Sequence, residues 1–459
     1  LKYNKETMLK ISHLIRLFFS GILLLNFSGV FSQEQKDKLL QLMKQELKYS
    51  MEELKKQESI PYYMNMRAMD DYTITVVSSF GAVTTANANR TRTLVPQIRL
   101  GSPELDNFKY NMQGGFAGPN AQGAQGVILP LDDNASDAIR EAIWRETLQR
   151  YEYARTMYDQ AKTRATVSVE DEDKAPCFSE APVEHYYEAP VAAGKQKMDI
   201  KRAWEQRMDE VSAVFKTCPE LRQGSASFNF QVLRTYFVNS EGSVVVQNRV
   251  ATRVMLMASL KADDGMELPL NMDYFAYTPD ELPDNDRMIV DAQDMIKRLL
   301  ALRDAPVADP YTGPAILSGP ASGVFFHEIF GHRLEGHRLK SGGQTFKKMV
   351  GQLVLPADMH VYDDPTLRKY AGEDLNGFYK YDDQGVKAER VDVVVNGKLN
   401  DFLMTRTPID GHPRTNGHAR ASDGFDPVSR QSNLVIETSN PKTPEELRQL
   451  LIEEVKKQG

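Results

Sequence analysis

The sequence predicts an α+β fold: an N-terminal helix-and-sheet region, then a largely antiparallel β domain carrying a short histidine-rich helix. Three observations predict it. Long runs with apolar residues every three or four positions have the periodicity of amphipathic helices. Between them lie stretches rich in β-branched and aromatic residues, punctuated by Gly, Asn and Asp, as strands and tight turns are. After residue 350 such strand-and-turn units follow one another almost without a helix.

The elements follow in order. Residues 34–58 carry Leu39, Leu40, Met43, Leu47, Met51 and Leu54 on one helical face. "YTITVVSSFGAV" and "TRTLVPQIRLGS" read as strands, punctuated by Gly81 and Gly101. Residues 113–126 form a Gly-rich loop without a phosphate-binding pattern. Cap residues Asp132 to Asn134 open a long helix to about Lys162, and another runs from about Ile200 to Phe215. The acidic, Pro-rich stretch 168–192 between them reads as a surface connection. From residue 225 the chain turns to strand, with a hairpin about Asn239–Gly242 and a further turn at Asp263–Gly265. "DNDRMIVDAQDMIKRLLALRDA" is a helix, and the last helix opens with a capping box of Thr443, Pro444 and Glu446. This gives three parts: residues 1–32, the N-terminal region 33–220 with its central helical part 127–220, and a C-terminal domain 221–459.

With 459 residues and 41% hydrophobic content, the chain has ample material for a core. A net charge of −7 with no strongly basic stretch argues against nucleic acid as a partner. Lys10 and Arg16 lead into the apolar run Leu17–Leu25, and small residues precede Gln33. This is the pattern of a cleavable secretory signal ending at Ser32. The run is shorter than the ~20 residues a spanning helix needs, so no stable membrane anchor is expected. Export permits a disulfide between the two cysteines, Cys177 and Cys218, but two free, unreactive thiols are the simpler reading.

The chain holds eight histidines, three of them in "FFHEIFGHRLEGHR" at 325–338. Two imidazoles and a carboxylate are what a divalent metal site with a general base requires. His327 and His332 are five apart, however, and on an ideal helix they would point about 140° away from each other. Joint chelation demands a π-type turn, which brings positions i and i+5 together, and Gly331 would ease the backbone change. Two rivals stand beside this reading. Glu328, His332 and Glu335 share one face of an undistorted helix and would form a carboxylate-rich site without His327. A plain solvated helix end is the other. The apolar segment "GPAILSGPASGVFF" that leads into His327 favours a site.

"HEIFGHRLEG" resembles the HExxxH signature of the TldD/PmbA metallopeptidases, once called modulators of DNA gyrase. "QIRLGS" (97–102), "LPLDD" (129–133), "YFVNSEG" (236–242), "VYDDPT" (361–366), "YDDQGV" (381–386) and "MTR" (404–406) resemble family segments in family order. The resemblance implies a zinc peptidase with His327 and His332 as metal ligands and Glu328 as general base. It places the chain with the TldD-type, catalytic side, since PmbA-type subunits lack these residues. It implies action on unfolded or leader peptides and a dimer, with a PmbA-type subunit as one candidate partner. A non-catalytic or merely metal-binding subunit that scaffolds a partner peptidase is the alternative. The family's third ligand is a cysteine beyond the helix that closes this sequence, and neither Cys177 nor Cys218 matches it. The expectation is that the chain stops short of that ligand. The alternative is a substitute among His337, His412 and His418. Of these, His337 is expected to be partly exposed, and the loop holding the other two to lie at the surface or line the cleft. His360 is expected to pack within a strand. Asp363–Asp364 and Asp382–Asp383 are expected in turns and caps.

Overall fold

The structure, a computed structural model, describes residues 32–110, 126–167, 173–191, 196–340 and 346–458. The apolar N-terminal run, nearly all of the Gly-rich loop and part of the acidic connection lie outside the described residues.

The frame is a seven-stranded sheet. Strands β1 (Pro61–Ser79) and β2 (Ala82–Leu100), 19 residues each, form a hairpin about Phe80–Gly81. Both turn residues have positive φ, 45° and 69°, the pairing that matches the twist of flanking strands. Short β3 (Val127–Ile128) pairs with β2. Strand β4 (His185–Tyr187) joins the opposite edge, parallel to the start of β6. Strands β5 (Leu221–Asn239), β6 (Val244–Lys261) and β7 (Glu267–Ala276) are the expected hairpins, and β5 pairs with β1 from Asn65 to Ser79. Strands from both sides of residue 220 thus share one sheet. The division at 220 that the sequence suggests runs through this sheet, because β1 satisfies its second edge with β5 and β4 pairs with β6.

Alternation along the strands decides which face is buried. The even-numbered side of β1 presents Met64, Met66, Ala68, Ile74 and Val76, all buried. Helices α1 (Lys38–Leu54) and α2 (Ser136–Val167) cover one half of it, with Leu40, Met43, Ile139 and Ile143 inward. Helices α3 (Gln196–Ala213) and α4 (Asn285–Asp304) cover the other half, where Trp204 stacks on Phe228 at 4.0 Å. Among the described residues no helix is long and apolar enough to cross a membrane.

The opposite face receives the C-terminal region. Gln97 donates to Asp426 at 3.1 Å, Thr93 to Asp423 at 3.0 Å, and Gln247 to the Tyr381 carbonyl at 2.8 Å. That region holds short helices α5 (Gly319–Phe325) and α6 (Gly336–Lys340) and a four-stranded antiparallel sheet. The sheet takes the order β12 (Lys398–Leu399), β11 (Val391–Val395), β8 (Met359–Asp363), β15 (Leu434–Thr438). Two-stranded ribbons β9 (Lys369–Tyr370) with β10 (Glu373–Asp374), and β13 (Ala419–Arg420) with β14 (Val428–Ser429), complete it. Its own core gathers Phe330, Leu334, Val361, Val393, Phe402 and Leu403. Helix α7 (Pro444–Gln458) starts at the capping box, with Thr443 and Glu446 bonded reciprocally. The architecture is the α+β class expected.

Candidate metal centre

Helix α5 runs into the motif, and there its hydrogen-bond ladder slips. Residues Phe326–Phe330 form a π turn, Gly331–Leu334 a 3-10 turn, and Glu335 is extended. The slip is what five-residue spacing needs. It brings the His327 and His332 rings to 4.7 Å between centroids. Ligand atoms of His327, Glu328 and His332 all lie within 4.8 Å of one another. Both histidines turn Nε2 towards the Glu328 carboxylate, at 3.7 Å and 3.6 Å. The cluster opens to solvent: His327 and Glu328 are half exposed or more.

Glu335 has a different place from the one an undistorted helix would give it. Its carboxylate is fully buried and meets His332 at Nδ1, 2.9 Å away, on the other side of the ring from Glu328. A carboxylate accepts only, so Nδ1 donates to Glu335, and Nε2 is the ring nitrogen that faces Glu328. Arg338 and Arg430 hold Glu335 in turn. The set Glu328, His332, Glu335 is therefore not one ligand group. Glu335 orients the His332 ring instead, the arrangement that outer carboxylates make with metal-bound histidines.

Gly331 is also used differently from the expectation. Its φ is −60°, ordinary helical backbone, so the turn needs no glycine for conformational freedom. It needs glycine for space: a Cβ there would lie 1.9 Å from Oε1 of Gln431. Gln431 in turn donates Nε2 to the His327 carbonyl at 3.3 Å, bracing the π turn from 104 residues away in sequence. Gly331→Ala should displace this brace and weaken any metal binding at the cluster by about 10-fold, the low end for loss of a supporting contact. Adding Gln431→Ala to it should cost little more, because the two changes remove the same contact. Zinc titration of both variants checks this, and fully additive losses would show that Gly331 and Gln431 act separately.

The remaining histidines lie elsewhere. His337 is buried, not partly exposed: its Nδ1 meets the Ser429 hydroxyl at 2.8 Å, and burial pushes its pKa down to about 4. The inward face of the short helix α6 accounts for this. His412 bonds Asp401 at 2.7 Å beside the Phe402 ring, and His418 is wholly buried against Asp363 at 3.1 Å. Among the described residues none of the three joins the cluster. His360 sits on β8, bonded to Asp392 at 3.0 Å. Asp364 caps the Thr366 N–H, and Asp382 accepts the backbone N–H groups of Gln384, Val386 and Ala419. Asp363 accepts Ser432 and Asp383 accepts Ala421. Asp364 and Asp382 thus have the expected turn roles, whereas Asp363, at the end of β8, and Asp383 tie together segments distant in sequence. Cys177 and Cys218 are free and buried, and burial pushes the Cys177 thiol up to about 11.

Spacing alone marks His327, Glu328 and His332. It places Glu335 near His332 but not its role. Nothing in sequence points to Gln431 or Arg430, which reach the motif only through tertiary packing.

Residues 310–458 match the family model described as the PmbA/TldA metallopeptidase C-terminal domain. A metalloprotease of Archaeoglobus fulgidus is 33% identical over 124 residues, covering 27% of this chain and 28% of that protein. One from Methanocaldococcus jannaschii is 26% identical over 227 residues, covering 48% of this chain and 47% of that protein. One from Methanothermobacter thermautotrophicus is 28% identical over 207 residues, covering 44% and 43%. The chain thus spans less than half the length of each curated relative it matches. Among solved structures, a modulator of a DNA gyrase from Thermotoga maritima superposes with a TM-score of 0.59 at 14% identity, over 89% of this chain and 80% of that one. TldE from Thermococcus kodakarensis gives 0.53 at 14%, over 88% and 79%. At such identity these two show the shared fold.

Proposed function

We propose that this chain, whose residues 310–458 match the PmbA/TldA metallopeptidase C-terminal domain, belongs to that family and is a metal-dependent peptidase that hydrolyses unfolded or small peptides. The names of its relatives support a metallopeptidase, and the observation that carries the reading is the π turn that aims two imidazole Nε2 atoms at one carboxylate.

The donor chemistry fits a zinc ion. His327 and His332 offer imidazole nitrogen donors, and buried Glu335 holds Nδ1 of His332, so that Nε2 is the nitrogen turned to the cluster. When held by His327 and His332, a zinc ion would supply Lewis acidity for a substrate carbonyl and for an attacking water. Glu328 is then the general base: it takes the water's proton on its carboxylate and delivers it to the leaving amine. Its exposure leaves room for an extended peptide beside the motif, bound as an added strand.

We assign it to the space outside the cytoplasm on the signal read at residues 8–32. We also propose a dimer, with a second copy or with a PmbA-type subunit. The exposed side chains of Val324, Phe325 and Ile329 next to the motif support a covering surface there.

Zinc titrated into chelator-treated protein tests the site. The wild type should bind one ion. His327→Ala and His332→Ala should each weaken binding by more than about 100-fold, since an outer partner alone is worth 10–100-fold. Unchanged affinity in either variant would remove that residue from the site.

A further inference from the structure

Between the large sheet and the C-terminal region lies a cavity of about 320 Å³. Four cationic side chains line it: Arg249 of β6, and Arg368, Lys380 and Arg420 of the C-terminal region. Two carboxylates pair directly with these cations, and both have further partners. Glu188 pairs with Lys380 and also accepts the Tyr186 hydroxyl at 2.6 Å and the Asn248 N–H at 2.8 Å. Asp383 lies 3.5 Å from Arg420 and accepts the Ala421 N–H.

Asp383 and Asp71 act on Arg249 only from beyond ion-pair distance. Arg249 reaches the backbone and side-chain oxygens of Asn376, and among the described residues neither arginine has a carboxylate within ion-pair distance. Burial and the like charge of Arg420 hold the Arg249 guanidinium below its usual range. Clustered cations with low-dielectric walls concentrate an anion. Arg368 lies over the Tyr277 ring at 4.2 Å and Arg420 over Tyr379 at 4.3 Å. A guanidinium seated on a ring keeps its N–H edge for an in-plane partner, and that edge matches a carboxylate fork. Leu233, Val250 and Phe378 supply an apolar wall beside it. The volume is at the lower end for small-molecule pockets, enough for a body of about one amino acid.

We propose that this cavity binds an organic carboxylate with an apolar or aromatic body, held by Arg249 and Arg368. The chemistry is shared by a free aromatic acid and by the C-terminal residue of a peptide. It requires no metal and is independent of the role of the His327–His332 cluster.

Calorimetry on the full chain in the presence of a metal chelator tests it. The probes are N-acetyl-phenylalanine, its amide, and a tripeptide that ends in phenylalanine with a free carboxylate. The acid should bind with Kd of about 1 mM or better. The amide should bind at least about 10-fold more weakly, because a hydrogen bond to a charged group is worth a factor of this size. Arg249→Gln and Arg368→Gln should each weaken the acid by about 10-fold. Arg368 is exposed, so its variant remains informative if the half-buried Arg249 position does not tolerate change. Tighter binding of the tripeptide than of the acid identifies a peptide terminus as the source; equal or weaker binding identifies a free acid. Equal binding of acid and amide, or no binding of either probe, overturns the proposal.

Discussion

Glu328→Gln should abolish peptide hydrolysis and leave zinc bound. The amide keeps the size of the carboxylate and can still hydrogen-bond, but it cannot take a proton. A positioned general base contributes about 10²–10⁴-fold, or about 3–5 kcal/mol of barrier. The loss should fall on kcat as well as on kcat/KM, because the proton moves only in the transition state. Stability should change by less than about 0.5 kcal/mol, since the side chain is mostly exposed and packs into no core. The measurement pairs turnover of an unstructured peptide with zinc content on the same sample. Retained turnover would place the base elsewhere. Loss of zinc together with turnover would make Glu328 a ligand, a role its 3.6 Å and 3.7 Å approaches to the two imidazoles also allow. A chain that binds zinc but hydrolyses nothing before substitution would be the scaffolding subunit.

The part of this site that sequence reveals is the part set by local geometry. Two histidines five apart cannot chelate together from an α-helix, so a joint site requires a π turn, and the turn is there. Period-two and period-3.6 patterns likewise mark the long strands and the four helices on their buried face, because those residues meet the core directly. What sequence does not carry is anything that depends on which surfaces meet. The pairing of β1 with β5 joins residues on either side of an apparent boundary. Glu335 stands three residues after His332, a spacing that suggests a ligand, yet it faces the other ring nitrogen because the chain leaves the helix there. Gly331 invites an argument from flexibility. Its reason is Gln431, which no local pattern could place beside it. His337 looks like an exposed neighbour of the motif until Ser429 covers it.

The largest stability loss is expected away from the metal centre, for Asp106→Ala. Asp106 is wholly buried and pairs with Arg99, which is 2% exposed; the Tyr62 hydroxyl donates to the same carboxylate at 2.8 Å. Nε of Arg99 has no hydrogen-bond partner, so the guanidinium relies on Asp106 for compensation. Removing one partner of a buried pair costs about 3–5 kcal/mol, because the charge left behind is neither solvated nor paired. Urea unfolding should show this loss as a lower midpoint with an unchanged slope. Replacing both partners with apolar residues should restore much of it. A loss below about 1 kcal/mol would mean that water reaches Arg99. The pair also has a line to the motif. Arg99 lies between the rings of Phe108 and Phe178, at 4.3 Å and 4.0 Å, and Arg406 lies 4.0 Å from the Phe178 ring. Arg406 is anchored to Glu241 and to the Ser179 carbonyl, and it follows Leu403, whose backbone bonds Leu334 and Gly336 on either side of Glu335. If folded Asp106→Ala keeps its zinc affinity, this stack only fastens the C-terminal region to the sheet. If affinity falls as well, the stack sets the position of Glu335 and, through it, the aim of His332.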